Sequence, residues 1–328
     1  MGTEIEIIKS REYERSLAPL VCYSVKTLHS IIEECKTHPH LETGGFIFGQ
    51  SLQIFDNKKA FVVYGTFTPP NEITRTGGHL SLGGETCGDF YDWQKAHWKY
   101  SYPDYLKRFG RENTGNGKVG LLGVWHKHPG KYIDFSGEDN HQVNSHLTQG
   151  LENYIFPIVI RYNSRESDSK SKLPHLIRIV DDNCVYDIAT YYRSRGSSNT
   201  FLAMPLKLDS GLFPNLADTP WHIQNPIAFE EEYNAFSNLG FSIEIVPKIP
   251  KGKREGEIWL ILKHQFLREP IYITTPGNYY LTRTFNLFSG NPNNRGTKIG
   301  SINSMPEGLL IADTIGPIIN YLLSNKKQ

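Results

Sequence analysis

The sequence has almost no excess of charge of either sign: 35 Lys and Arg stand against 34 Asp and Glu, a formal net charge of +1. That balance supplies neither the basic footprint that nucleic-acid phosphates attract nor one for an anionic membrane surface. Long apolar runs are missing too. The nearest candidate, GLLIADTIGPIINYLL, carries Asp313, Gly316 and Pro317; it falls short of the ~20 residues that span a bilayer and reads as a broken core helix. Cysteines are few: Cys22, Cys35, Cys87 and Cys184 are scattered without CxxC spacing, as reduced, mostly buried thiols would be. The N-terminus, MGTEIEIIKSREYERS, is charged from its fourth residue, lacks a signal-peptide core, and has Glu6 where myristoylation needs Ser or Thr. No G-x-S-x-G elbow occurs, which disfavours a serine hydrolase. In GNGKVG the P-loop pattern fails, with Glu112 in place of its first glycine and Val119 in place of Ser or Thr. Together these absences point to a cytoplasmic protein with no nucleic-acid or membrane partner.

What is present is enough for a packed core. The 328 residues are 38% hydrophobic and 12% aromatic, which suits one large domain or two ordinary ones. SVKTLHSIIEECK puts Val25, Leu28, Ile31, Ile32 and Cys35 on one helical stripe behind a Ser24 N-cap. Gly44 and Gly45 then break the helix before the apolar run Phe46–Phe48, a buried strand. KAFVVYGTF, KVGLLGVWHKH, YIFPIVIRY, HLIRIV and CVYDIA read as further strands. A helix is expected over DFYDWQKAHWKYSYPDYLKRF, followed by a polar loop at 110–117, and a capped helix over SGEDNHQVNSHLTQG. Strands and helices alternate to about residue 193, the pattern of an α/β or α+β domain at 1–193. RSRGSSNT opens a polar linker over 194–227. Residues 228–328 read as a smaller α+β domain, a helix followed by an antiparallel meander.

The chemistry concentrates in WHKHPGKYIDFSGED. Alternate side chains of a strand share a face, so His126 and His128 point one way and Lys127 the other. Two imidazoles rooted ~6–7 Å apart can converge on one ion. A catalytic zinc needs a third protein ligand and an open position, and Asp139 is the available carboxylate, in the first turn of the next helix. Fe or Mn is not excluded by ligand type. Ser136 and Asp139 also form a capping box, which alone accounts for SGED. His146 lies ~10 Å further along the helix axis than Asp139, too far for the same ion. His79, Cys87 and His97 are a weak candidate for a second, structural zinc. A hydrolytic metal site further needs a base for its water, and Glu42, beside Gly44-Gly45, is the candidate.

ETGGFIFG followed by HKHPGKYIDFSGED resembles the JAMM motif of the MPN metallopeptidases: a glutamate, H-x-H-P, six residues, then S-x-x-D. Glu42, His126, His128, Ser136 and Asp139 fall in register. The likeness covers roughly residues 20–190. It implies an MPN/JAMM, cytidine-deaminase-like mixed sheet flanked by helices, with one catalytic Zn2+ on His126, His128 and Asp139. It also implies that Glu42 holds and deprotonates water and that Ser136 hydrogen-bonds the oxyanion. Relatives of this type are isopeptidases that cleave after the C-terminal glycine of ubiquitin or a ubiquitin-like protein. The compact chain and its Glu-Thr-Gly-Gly are similar to the isopeptidases of bacterial ubiquitination-like antiphage operons, which implies a ubiquitin-like modifier and its conjugating or activating enzymes as partners. Lys127 departs from the family's usual Ser or Thr. The interval of 84 residues between Glu42 and His126 is long, its extra length near 71–118, where similar enzymes cradle the modifier's tail. The C-terminal domain is faintly similar to RWD and ubiquitin-conjugating folds, but no cysteine follows Cys184 to carry a thioester. Two other readings stay open: a non-catalytic zinc scaffold, and a metal-dependent hydrolase of small amides.

Overall fold

The apolar runs of the N-terminal two thirds become strands of one ten-stranded mixed sheet. The computed structural model describes residues 3–9, 18–53, 58–70, 72–77, 79–109, 118–130, 132–163, 173–181, 184–208, 216–249 and 255–324. The polar loop expected at 110–117 lies outside them. Chain contacts divide the protein into Met1–Cys87 with Ser101–Leu216, and Gly88–Tyr100 with Ala217–Gln328.

The first unit opens with β1 (Glu4–Lys9), β2 (Leu20–Ser24), α1 (Val25–Thr37), β3 (Thr43–Gln53), β4 (Lys59–Phe67), β5 (Ile73–Arg75) and β6 (Leu80–Leu82). After α2 (Glu85–Phe109), whose middle belongs to the second unit, come β7 (Gly120–His128), α3 (Gly137–Thr148), β8 (Asn153–Asn163), β9 (His175–Asp181), β10 (Cys184–Ser194), β11 (Phe201–Leu202) and β12 (Met204–Leu208). The sheet runs β1-β9-β10-β8-β7-β3-β4-β2-β12, with β11 on β10, and β5 pairs with β6 as a separate ribbon. Pairing is antiparallel except for β7–β8, β2–β4 and β2–β12. A parallel neighbour requires a crossover, and α3 supplies it between β7 and β8. The N-terminus of α3 therefore follows directly from the C-terminal end of β7, the end of a parallel strand where α/β sheets place their sites.

On one face, α1 is capped by Ser24, whose Oγ accepts from Thr27 N–H at 3.1 Å. Its buried stripe, Leu28, Ile31, Ile32 and Cys35, packs with Ile47, Phe61, Val63, Trp125 and Val159 of the sheet. Helices thus flank a large mixed sheet, as expected of an α/β or α+β domain. The linker expected over 194–227 is corrected in part: residues 201–208 form β11 and β12, and the backbone of β12 extends the sheet parallel to β2. Such strands, two and five residues long, are too short for a periodic signal to distinguish them from loop. Cys22 and Cys35 are buried, Cys87 and Cys184 half-buried, and none of the four is in a disulfide among the described residues.

The second unit contains α4 (Trp221–Gln224), α5 (Pro226–Asn238), β13 (Ser242–Lys248), β14 (Glu257–Lys263), β15 (Ile271–Pro276), α6 (Tyr279–Thr282), β16 (Phe285–Ser289), β17 (Thr297–Ile302) and α7 (Ile311–Ser324). Its five strands form one antiparallel meander in sequence order. Phe236, Leu260, Ile273, Tyr279 and Ile315 lie at its core. The helix expected to break near Pro317 runs through that residue as one element, anchored by buried Ile311, Ala312, Ile315 and Ile319. Among the described residues no helix is long and apolar enough to cross a membrane.

Glu232 of α5 is buried and accepts the Ile311 N–H on both carboxylate oxygens at 2.9 Å, so it caps α7 from a neighbouring helix. Burial raises its pKa from the ordinary 4.5 to about 7, against the lowering effect of those N–H bonds. With the folded pKa above the unfolded one, the unfolded state loses its proton first as pH rises, so this group's contribution to stability falls between pH 4.5 and 7. Glu232→Gln should flatten that segment of the stability–pH profile, measured as urea midpoints across the range.

Candidate metal centre

The site begins with strand register. β3 pairs with β7 so that Thr43 stands opposite Lys127 and Gly44 opposite His126. Glu42, one residue before β3, is thereby carried to the ligand end of β7. Gly44 permits this closeness, because a Cβ there would collide with the Trp125 carbonyl oxygen and press on the Leu80 side chain. Glu42 is fixed from the other side by its own N–H, which donates to the Thr76 carbonyl at 2.8 Å.

His126 and His128 project from the face of β7 opposite α1. Their Nε2 atoms are 2.6 Å apart. The Asp139 carboxylate joins them, with Oδ1 at 3.4 Å from His126 Nε2 and Oδ2 at 3.9 Å from His128 Nε2. Among the described residues this is the group of His, Cys, Asp or Glu side chains whose donor atoms could hold a metal ion, all within 4.8 Å of one another. Both His126 and Asp139 are 5% exposed. His128 Nδ1 faces the Tyr132 carbonyl at 2.5 Å, which fixes the ring's orientation and assigns the Nδ1 proton, leaving the Nε2 lone pair for the cluster. Burial, reinforced by the His128 charge, pushes the His126 pKa well down, so its imidazole is neutral as a ligand must be.

Asp139 is placed by the capping box at the start of α3. Ser136 Oγ accepts from Asp139 N–H at 3.1 Å, and Ser136 N–H donates to Asp139 Oδ2 at 2.7 Å. The turn that caps α3 therefore also presents the Asp139 carboxylate to the two histidines. Because Ser136 Oγ accepts that bond, its own hydroxyl proton is free to donate elsewhere. Glu42, Ser136, the two histidines and Asp139 line one cavity of about 50 Å³, room for one or two water molecules. Burial raises the Glu42 pKa, with His128 opposing the shift, which moves the carboxylate toward the basicity a general base needs.

No protein-family model matches the chain, and no curated protein does. Two imidazoles and a carboxylate, buried, held by outer hydrogen bonds and open to a small polar cavity, fit a divalent metal with room for water.

His146, expected to lie too far along α3 to share the ion, stacks on Tyr154 and is not part of the cluster. His79 meets Glu138 at 3.1 Å and His97 lies against the Trp93 carbonyl at 3.0 Å; with Cys87 they make no metal-binding group among the described residues. Leu80 on β6, Glu138 and Gln142 line the cavity unforeseen, since a single leucine in a short ribbon carries no signal. Lys127 is fully buried on the α1 side, where Nζ donates to the carbonyls of His38 at 2.5 Å and Pro39 at 3.0 Å. It ties the turn after α1 to the ligand strand. Nearby, Arg75 donates to Thr43 Oγ1 at 3.0 Å and pairs with Glu34 at 2.8 Å, while Thr43 Oγ1 also donates to Glu34.

Two outcomes are expected. The dialysed 328-residue chain should retain about one divalent metal ion by elemental analysis, and His128→Ala or Asp139→Asn should lose it, since each removes one of the three clustered donors. Lys127→Ala should lower stability by roughly 2–4 kcal/mol in urea titrations, from two orphaned carbonyls and a cavity in the core.

Proposed function

We propose that the protein is a zinc-dependent isopeptidase that cleaves after the C-terminal glycine of a ubiquitin-like modifier, either deconjugating it or maturing its precursor. The observation that carries this reading is the meeting of Glu42 and Ser136 with the buried His126–His128–Asp139 group around one small cavity. On this reading the set corresponds to that of an MPN/JAMM metallopeptidase, whose motif these residues resemble. Zinc, when bound by those three side chains, supplies a Lewis acid for the scissile carbonyl and makes nearby water more acidic.

The remaining chemistry belongs to the protein. The Glu42 carboxylate, its basicity raised by burial, takes a proton from the attacking water and returns it to the leaving amine. The Ser136 hydroxyl, already accepting from Asp139 N–H, directs its own proton at the tetrahedral oxyanion. The leaving group of an isopeptide is a lysine amine, so one carboxylate that changes from base to acid serves both halves of the reaction. The β5–β6 ribbon borders the cavity through Leu80 and holds Glu42 through Thr76. On this reading an extended tail ending in glycine lies along that ribbon. A cytoplasmic place in a bacterial ubiquitination-like antiphage system, with conjugating or activating enzymes as companions, belongs to the same proposal.

The test is hydrolysis of a modifier–reporter fusion by zinc-loaded protein. Glu42→Gln should lower kcat by at least ~10³-fold while zinc content is unchanged, and Ser136→Ala by about 10²-fold. Equal rates for Glu42→Gln and the wild type would refute the assignment of the base. Activity on short amides without any folded modifier would favour the small-amide hydrolase, and zinc binding with no hydrolysis of either would favour a scaffold.

A further inference from the structure

A second cavity, of about 670 Å³, lies in the first unit between one face of α3 and the turn that follows β10. From α3 it is lined by Asn140, Asn144 and Thr148, spaced by four residues and so stacked along one stripe of the helix. Arg193 and Arg195 enter from the other side with the hydroxyls of Ser197 and Ser198. Among the described residues no acidic side chain lines it.

Arg193 is the unusual member. It is 4% exposed, yet each of its hydrogen bonds goes to a neutral oxygen: Nη1 donates to Asn144 Oδ1 at 2.7 Å, and Nε to Thr200 Oγ1 at 3.0 Å, an atom that Nη2 also reaches. The ring of Phe135 lies 5.5 Å from its guanidinium carbon. Among the described residues no carboxylate pairs with it, and burial with no opposing charge lowers its pKa. A buried charge is retained at high cost unless an opposite charge meets it. Arg195 is paired at 3.1 Å with Glu152, but Glu152 is 78% exposed, so that pair is screened by water and leaves the cavity positive. Arg195 Nε is held by the carbonyls of Leu147, in the last turn of α3, and Leu151, just beyond it. Both guanidinium groups are thus positioned before any ligand arrives.

We propose that this cavity binds a small phosphate ester, its phosphate neutralising Arg193 with Arg195 and the serine hydroxyls completing the oxyanion contacts. Guanidinium forks and hydroxyl donors converging from different sides match the tetrahedral, multiply charged oxygens of phosphate better than a single planar carboxylate, which one fork satisfies. The volume exceeds what phosphate alone fills and lies within the range of small-molecule sites. The amides of Asn140 and Asn144 and the Thr148 hydroxyl offer polar partners to the organic portion of the ester. The site is separate from the hydrolase reading, and its test reads binding alone.

The experiment is calorimetric titration of the 328-residue chain, at fixed ionic strength, with adenosine 5′-monophosphate, inorganic phosphate, adenosine and citrate as probes. The monophosphate should bind, adenosine should not, and Arg193→Gln should weaken binding about tenfold or more. Ser198→Glu, at an exposed position, should do the same by placing a carboxylate in the cavity while the zinc content stays that of the wild type. Absence of binding by both phosphates overturns the proposal. So does equal binding of adenosine, a preference for citrate, or affinity that neither variant changes.

Discussion

The close approach of β3 to β7 is the constraint on which the site depends. Antiparallel pairing sets Thr43 against Lys127 and Gly44 against His126, and so fixes how far Glu42 stands from the ligand strand. A side chain at position 44 would collide with the Trp125 carbonyl and push the strands apart at the point where the histidines emerge. The glycine therefore acts through geometry alone. It contributes no group to the chemistry, yet without it the residue proposed as base and those proposed as ligands would not share a cavity.

A second constraint is electrostatic and lies on the opposite face of the same strand. Lys127 brings a charge into the core between two ligands, and its Nζ is satisfied by two backbone carbonyls at the end of α1. Charge-assisted bonds of this kind are directional, so they specify the path of the turn leading from α1 toward Glu42. The Glu34–Arg75–Thr43 network grips the next few residues from the side of the β5–β6 ribbon. Position 127 departs from the resembling family in residue type, and in this fold it serves as a brace for the strand and turn that border the site.

The crossover helix α3 links three features that separate regions of sequence would not suggest belong together. Its first turn provides the Ser136–Asp139 cap and the carboxylate that completes the candidate metal group. One stripe of it forms a wall of the arginine cavity, and its Leu147 carbonyl is held by Arg195. The second unit follows a different logic, an antiparallel meander whose α7 is capped by a buried carboxylate of α5, with Trp221, Phe236 and Tyr279 in its core.

Local pattern was sufficient for much of this. Period-two and period-3.6 apolar repeats located the principal strands, α1 and α3, because burial of one face writes itself directly into sequence. The HxH alternation and the S-x-x-D cap are local too, so the three ligand candidates and the direction of Lys127 were legible from spacing alone. Bringing Glu42 into their cavity was not, because 84 residues separate it from His126 and only strand register closes that distance. The same holds for β12 joining β2, for the carbonyl partners of Lys127, and for the uncompensated burial of Arg193. In sequence these residues are an ordinary loop, an odd lysine and a surface-like arginine. What they touch is decided by contacts between distant segments, and such contacts leave no periodic trace in the chain.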